Sequence, residues 1–331
     1  AHAIQEADRA LALDATLEGA AELLDQLLET AGRRPERVTR LVARSELVEG
    51  PARLSLLDRA AKIAEGEQAI EVDERLVSED VVEAVGRLAG RYRQARMWDR
   101  LVGLLGSVAS READENRKSA LLSEAGEAAE LLGDAEQAEG VYRAARLVRP
   151  TSPAALAGLV ELLRRMERWG EVADTLEAVA TELSEEERVP YLLRAAESRE
   201  KDADLHGAID AMERALRTAP EDRDVRARLA QLYRQTERWP DLVALLSAAA
   251  DFETAAAARA QACYDAAEIL AGPMADLKAA ARFYERAAEA GASPVAREAA
   301  RKARQAQVQI GDALGAISAL RREVVVAQAS E

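Results

Sequence analysis

Two histidines and one cysteine are all that 331 residues offer for imidazole or thiolate chemistry. A catalytic triad needs a hydroxyl or thiol beside an imidazole that a carboxylate holds in place. His2 stands at the start of the chain. His206 opens a helix in DADLHGAID, where a solvent-facing or capping part is expected of it. Cys263 lies on the apolar stripe of RAQACYDAAEIL, the setting of a buried small hydrophobe and not of a reactive thiol. One cysteine cannot build a disulfide framework or a thiolate zinc cage within this chain. No P-loop, G-x-G-x-x-G, H-E-x-x-H or G-x-S-x-G occurs. Carboxylate pairs among 60 acidic residues are too common to single any out. The expectation is no enzyme: no catalytic residues, no metal ligands and no cofactor.

The chemistry that remains is charge. Net charge is −15, which disfavours nucleic acid and anionic lipid as partners. The longest nearly apolar stretch, Leu242 to Ala250, is about half of the ~18 to 20 residues that span a bilayer. Membrane insertion is therefore not expected, and a cytoplasmic location is. Residue 1 is Ala, the mark expected of an excised or processed chain, so further segments of the protein are expected to lie elsewhere. Only five of 45 basic residues are Lys, compatible with a GC-rich bacterial genome. With 3 % aromatics and much Ala, Leu, Arg and Glu, the composition is that of an all-α protein.

The rarest residues reveal a repeat. Trp98, Trp169 and Trp239 are 71 and 70 residues apart, in YRQARMWDRLVGLL, LLRRMERWGEVADTL and LYRQTERWPDLVALL. Between them, GDAEQAEGVYRAARLVRP, DADLHGAIDAMERALRTAP and MADLKAAARFYERAAEA form a second theme, with Asp134, Asp204 and Asp276 spaced by 70 and 72. The two themes interleave. A small or aliphatic residue followed four later by a large apolar one recurs as Leu101/Leu105, Ala138/Tyr142, Val172/Leu176, Ala208/Met212, Leu242/Leu246, Ala280/Tyr284 and Ala316/Leu320, at steps of 34 to 38 residues. Ala20/Leu24 and Arg53/Leu57 extend the series weakly upstream. The 48-residue gap after Arg53 contains EGEQAIEVDERLVSED (65–80), expected as an acidic insertion that interrupts the stack.

Within each period the apolar residues step by three and four, as one helix face requires. Ser152-Pro153 and Ser293-Pro294 read as helix starts, and Ser184 with Glu187 as a capping box. Pro190 is expected to open the helix that follows, because its ring is poorly tolerated inside one. Each module is two antiparallel helices, and one such hairpin buries its apolar face only by stacking on its neighbours.

These residues resemble the tetratricopeptide repeat (TPR) family. Gly126, Ala138, Tyr142, Ala145 and Pro150 match its pattern, as do Ala196, Ala208, Met212, Ala215 and Pro220. The three Trp stand where that family often has an aromatic at the turn, and wedges between helices are expected of them. The resemblance implies a right-handed α-solenoid of about nine hairpins with a concave groove that holds peptides or partner proteins. Residues 1–64 read as degenerate repeats, 81–323 as the regular array and 324–331 as a tail. In the family the twelfth position lines the groove, and here it alternates as Arg93, Glu130, Arg164, Glu200 and Arg234 before Gly272 breaks the series. Glu127, Glu161 and Glu197 occupy the neighbouring groove position. Two readings follow: a ladder of ion pairs between repeats, or a striped surface that orients a peptide of mixed charge. The functions expected are a protein- or peptide-binding scaffold, head-to-tail self-association through the solenoid ends around Val324 to Val326, or the sensor arm of a larger regulator or enzyme.

Overall fold

The computed structural model describes residues 2–15, 17–291 and 293–328. Their regular structure is nineteen α-helices: α1 (His2–Leu13), α2 (Glu18–Thr30), α3 (Arg34–Ser45), α4 (Gly50–Ile63), α5 (Gly66–Ser78), α6 (Val82–Ala95), α7 (Trp98–Arg111), α8 (Glu115–Leu132), α9 (Ala135–Val148), α10 (Pro153–Arg165), α11 (Trp169–Glu182), α12 (Glu185–Lys201), α13 (Leu205–Thr218), α14 (Arg223–Gln235), α15 (Trp239–Phe252), α16 (Ala256–Ala271), α17 (Leu277–Glu289), α18 (Pro294–Gln309) and α19 (Ala313–Gln328). The fold is a TPR-like helical repeat. Two compact units divide it, Ala1–Leu162 and Leu163–Glu331.

From α6 onward the helices pair as hairpins, and the recurring small–large pair occupies the fourth and eighth residues of every second helix, from Leu101 and Leu105 in α7 to Ala316 and Leu320 in α19. Both members are buried in α7, α9, α11, α13 and α17. The 70-residue super-repeat has a physical basis in the turns. Before α7, α11 and α15 a left-handed residue (Arg96, Glu167 or Glu237) is followed by an N-cap that offers no side-chain oxygen to the helix. Before α9, α13 and α17 the N-cap is Asp134, Asp204 or Asp276, whose carboxylate accepts the N–H of the third helical residue at 2.9 Å. Trp and Asp modules therefore start their second helices by different chemistry.

The same register runs upstream, which corrects the expected insertion. Residues 65–80 are no linker: they hold α5, and second helices start at 34, 66 and 98 in even steps of 32. Among the described residues, nine hairpins, α2/α3 to α18/α19, follow helix α1. Glu74, the ninth residue of α5, accepts from Tyr92 Oη on α6 at 2.6 Å, as Glu213, the ninth of α13, accepts from Tyr233 Oη on α14 at 2.9 Å. The turn into α3 (Gly32, then Arg33 at φ −85° and ψ 63°) matches the turn into α11, where Arg168 has the same angles. Ala20/Leu24 and Arg53/Leu57 therefore lie on first helices, not second ones. The true pairs there are Arg37/Leu41 and Ala69/Asp73, and their charged members hid the repeat.

Two further expectations change. Pro190 lies inside α12, which begins five residues earlier at Glu185. So near the N-terminus its missing N–H removes one helical hydrogen bond and the helix continues. Ser184 is the N-cap, but its hydroxyl donates to the Glu187 carboxylate at 2.8 Å and makes no capping bond to the backbone.

Small residues set the close packing. Tyr142 of α9 is buried and fills the space beside Gly126 of α8 and Gly158 of α10; a Cβ on either glycine would run into its ring. In the second unit, Ala267, Ala280, Ala287, Ala299 and Ala300 are all buried where α16, α17 and α18 meet.

Candidate functional site

The eight candidate groove residues lie on first helices and divide evenly between the units. Arg93 is on α6, Glu127 and Glu130 on α8, and Glu161 on α10 within the first unit; Arg164 of α10, Glu197 and Glu200 of α12 and Arg234 of α14 belong to the second. Arg93 pairs with Glu124 of α8. Glu200 pairs with Arg228 of α14 at 3.0 Å. In both joints a twelfth-position side chain meets the sixth position of the next first helix, which is the ladder geometry. These pairs are partly exposed, so each contributes on the order of 0 to 1 kcal/mol.

The other positions differ. Glu130 accepts from Tyr142 Oη at 2.7 Å. Glu161 and Arg164 are exposed and each has a polar partner. Glu127, Glu197 and Arg234 are exposed and make no ion pair or side-chain hydrogen bond among the described residues.

Sequence reasoning missed the polar wedges behind this face. Burial pushes the Tyr142 hydroxyl up to about 12, with the nearby Glu127 charge adding to the shift. Burial and the bond to Glu74 push Tyr92 up to about 12 as well. Tyr284 of α17 donates to Glu268 of α16, which Lys302 of α18 also grips at 2.5 Å. The Lys302 ammonium sits 5.1 Å from the Tyr264 ring centroid. Burial raises the Glu268 carboxyl, but the hydrogen bonds from Lys302 and Tyr284 outweigh it and hold the group below its ordinary value. The available signal was a tyrosine facing a carboxylate on the preceding helix; Tyr92/Glu74 and Tyr233/Glu213 do so at one register, as the eleventh and ninth residues of their helices.

The structural signature residues sit at recurring places. Trp98, Trp169 and Trp239 are the half-buried first residues of α7, α11 and α15, and Lys201 Nζ lies 4.3 Å over the Trp169 ring. Ala138, Ala208 and Ala280 are fully buried, with Tyr142, Met212 and Tyr284 one turn on. His206 is exposed on α13 and Cys263 is buried on α16, where burial raises its thiol. Of the Val324 to Val326 run, only Val326 is buried. Among the described residues, no helix is long and apolar enough to cross a membrane.

No family model matches the chain, and no curated protein does. Solved structures give distant likenesses. MamA 41-end from Desulfovibrio magneticus is 17 % identical, over 51 % of this chain and 93 % of its own, at a TM-score of 0.31. YrrB, described as a TPR protein with an unusual peptide-binding site, is 15 % identical over 55 % of this chain and 91 % of its own, at 0.31. A tetratricopeptide repeat protein from Parabacteroides merdae is 14 % identical over 80 % of this chain and 98 % of its own, at 0.32.

Proposed function

We propose that the chain is a non-enzymatic scaffold that holds a protein or peptide partner against its first helices. One observation carries this reading. Glu127, Glu197 and Arg234 repeat at the two positions that line the groove in the resembled family, and they are exposed and unengaged, whereas Arg93 and Glu200 are already held by neighbouring helices. Unengaged charges can pair with a partner without first breaking an internal contact. Arg234 would grip a carboxylate with its planar fork, and the two glutamates would select basic side chains. Within the second unit Glu197 and Arg234 together suit a segment of mixed charge, and in the first unit Glu127 suits a basic one. The test is affinity capture from a native lysate with mass spectrometry of the retained proteins. Reversing the three charges together (E127R, E197R and R234E) should release those proteins while helicity and melting temperature stay put; unchanged retention would overturn the reading.

Self-association is a second reading, favoured by α19, which exposes Leu314, Ile317, Leu320, Val324 and Val325. Light scattering across a concentration series checks it. Mass that grows with concentration and returns to a fixed value in an I317E/V325E variant supports it; a constant mass for the unaltered chain overturns it.

A further inference from the structure

The first unit contains a cleft that the charged first-helix positions do not touch. It opens between α1, α2 and α3, has a volume of about 440 Å³, and is walled by Leu11, Leu24, Leu41 and Leu47. That volume lies in the range of small-ligand pockets. Its apolar wall is incompletely covered: Leu47 is 54 % exposed at the rim. Leu11, Leu24 and the buried Ile4, Ala7 and Leu28 form a small core between α1 and α2, so the floor is packed.

The charges around the cleft are unequal in their availability. Asp8 is held by Arg40 at 2.6 Å, and Asp25 by Arg37 at 2.7 Å and Arg59 at 2.5 Å. Arg9 pairs with Glu6 at 2.9 Å. Arg44 lines the cleft from the last turn of α3 and has no polar partner among the described residues. Both lining carboxylates are thus spent, and a guanidinium is left at the edge of an apolar hollow. The cleft lining itself carries three guanidinium groups, Arg9, Arg40 and Arg44, against two carboxylates, Asp8 and Asp25.

We propose that this cleft binds an acidic amphipathic peptide segment, seating a bulky apolar side chain among Leu11, Leu24, Leu41 and Leu47 while a carboxylate of the same segment pairs with Arg44. Apolar contact supplies area, and the fork of Arg44 supplies orientation and selects the negative flank. The site is separate from the Glu127, Glu197 and Arg234 positions, so either can fail without the other.

The probe is a fluorescein-labelled synthetic peptide with leucine at helical spacing and glutamate between, titrated with the whole chain and followed by anisotropy. Saturable binding is expected, weakened about tenfold by R44E, the size of one lost charge-assisted bond. Ala43 is exposed at the cleft, so A43W should fill the hollow and abolish binding without disturbing the core. The E127R/E197R/R234E variant should bind the probe as before. Absence of binding, equal binding of a probe with serine for leucine or lysine for glutamate, equal binding by R44E and A43W of unchanged melting temperature, or uptake of dodecanoate in place of the peptide would each overturn the proposal.

Discussion

The hairpins α2/α3 and α4/α5 share a register with those from α6 onward but fill it differently. In α13 and α17 the eighth residue of the second helix is Met212 or Tyr284, packed among alanines and aliphatic side chains. In α5 the same position is Asp73, which is fully buried. Its carboxylate accepts from Arg91 Nε at 2.7 Å and Arg87 Nε at 3.1 Å, both on α6. In α3 the fourth residue is Arg37, paired with Asp25. One backbone repeat thus carries an uncharged side chain at this register in one region and, in the other, a charge paired across helices beside an apolar core that includes Leu41, Leu57, Val72 and Leu76. The difference teaches that register, not residue type, defines the repeat. A charged residue is tolerated at a core position when the neighbouring helix brings its counter-charge.

The strongest break of that comparison transplants the charge without its partners. Met212→Asp places a carboxylate among Leu192, Ile209 and Leu229, where the surrounding core cluster is apolar. An unpaired buried charge should cost about 4 kcal/mol or more. Urea unfolding followed by circular dichroism should show a large fall in midpoint. The converse, Asp73→Ala, strands Arg87 and Arg91; they are 38 % and 24 % exposed, so they turn partly to water and the cost should be about 2 to 3 kcal/mol. Replacing all three with Leu or Met should recover most of that loss. If Asp73→Ala proved neutral, the ion pairs would not be closing α5 on α6.

This contrast also explains what was legible in the sequence. The helical hairpins from α6 on could be read because Trp98, Trp169 and Trp239 and the small–large pairs recur in phase, and apolar burial leaves a compositional trace. Upstream, Arg37 and Asp73 replaced that trace with charges whose partners lie on other helices, so the phase slipped by one helix and α5 looked like an insertion. Charged side chains carry no periodic signal of burial. For the same reason the candidate binding residues were only half legible: spacing located Arg93, Glu200 and Arg234 alike, but which had neighbours depended on the sixth position of the next first helix. The cleft beside Arg44 left no linear pattern, since its walls come from three helices.

A smaller effect sharpens the distinction between Trp and Asp modules. Removing the cap in Asp134→Ala should cost about 1 kcal/mol, because the Gln137 N–H loses its acceptor. Asp204→Ala should cost a similar amount through the Gly207 N–H. Met97→Ala, at the equivalent N-cap of α7, removes no capping bond and should change the midpoint far less through capping. Equal losses at all three positions in thermal unfolding would mean that the two turn chemistries are not different in energy.

The smallest expected effect separates the two kinds of closure by pH. Burial opposes the ionised Glu268, yet hydrogen bonds from Lys302 and Tyr284 hold its folded carboxyl below the ordinary 4.5. A group depressed on folding stabilises the folded state at pH above its unfolded value, and that contribution disappears as pH falls through the depressed folded value. Melting temperature should therefore decline as pH is lowered below about 4.5, and Glu268→Gln should remove part of that decline while lowering stability at pH 7. Lys302→Met should act in the same direction, because without the ammonium the carboxyl returns toward its ordinary range. The same helices also carry Asp265, Glu285, Glu289 and Glu298, so the difference between Glu268→Gln and the unaltered chain isolates the share of the acid limb that Glu268 supplies. If Glu268→Gln left the acid limb of the melting curve unaltered, the α16–α18 joint would be closed by its alanines and the polar triad would contribute nothing to it.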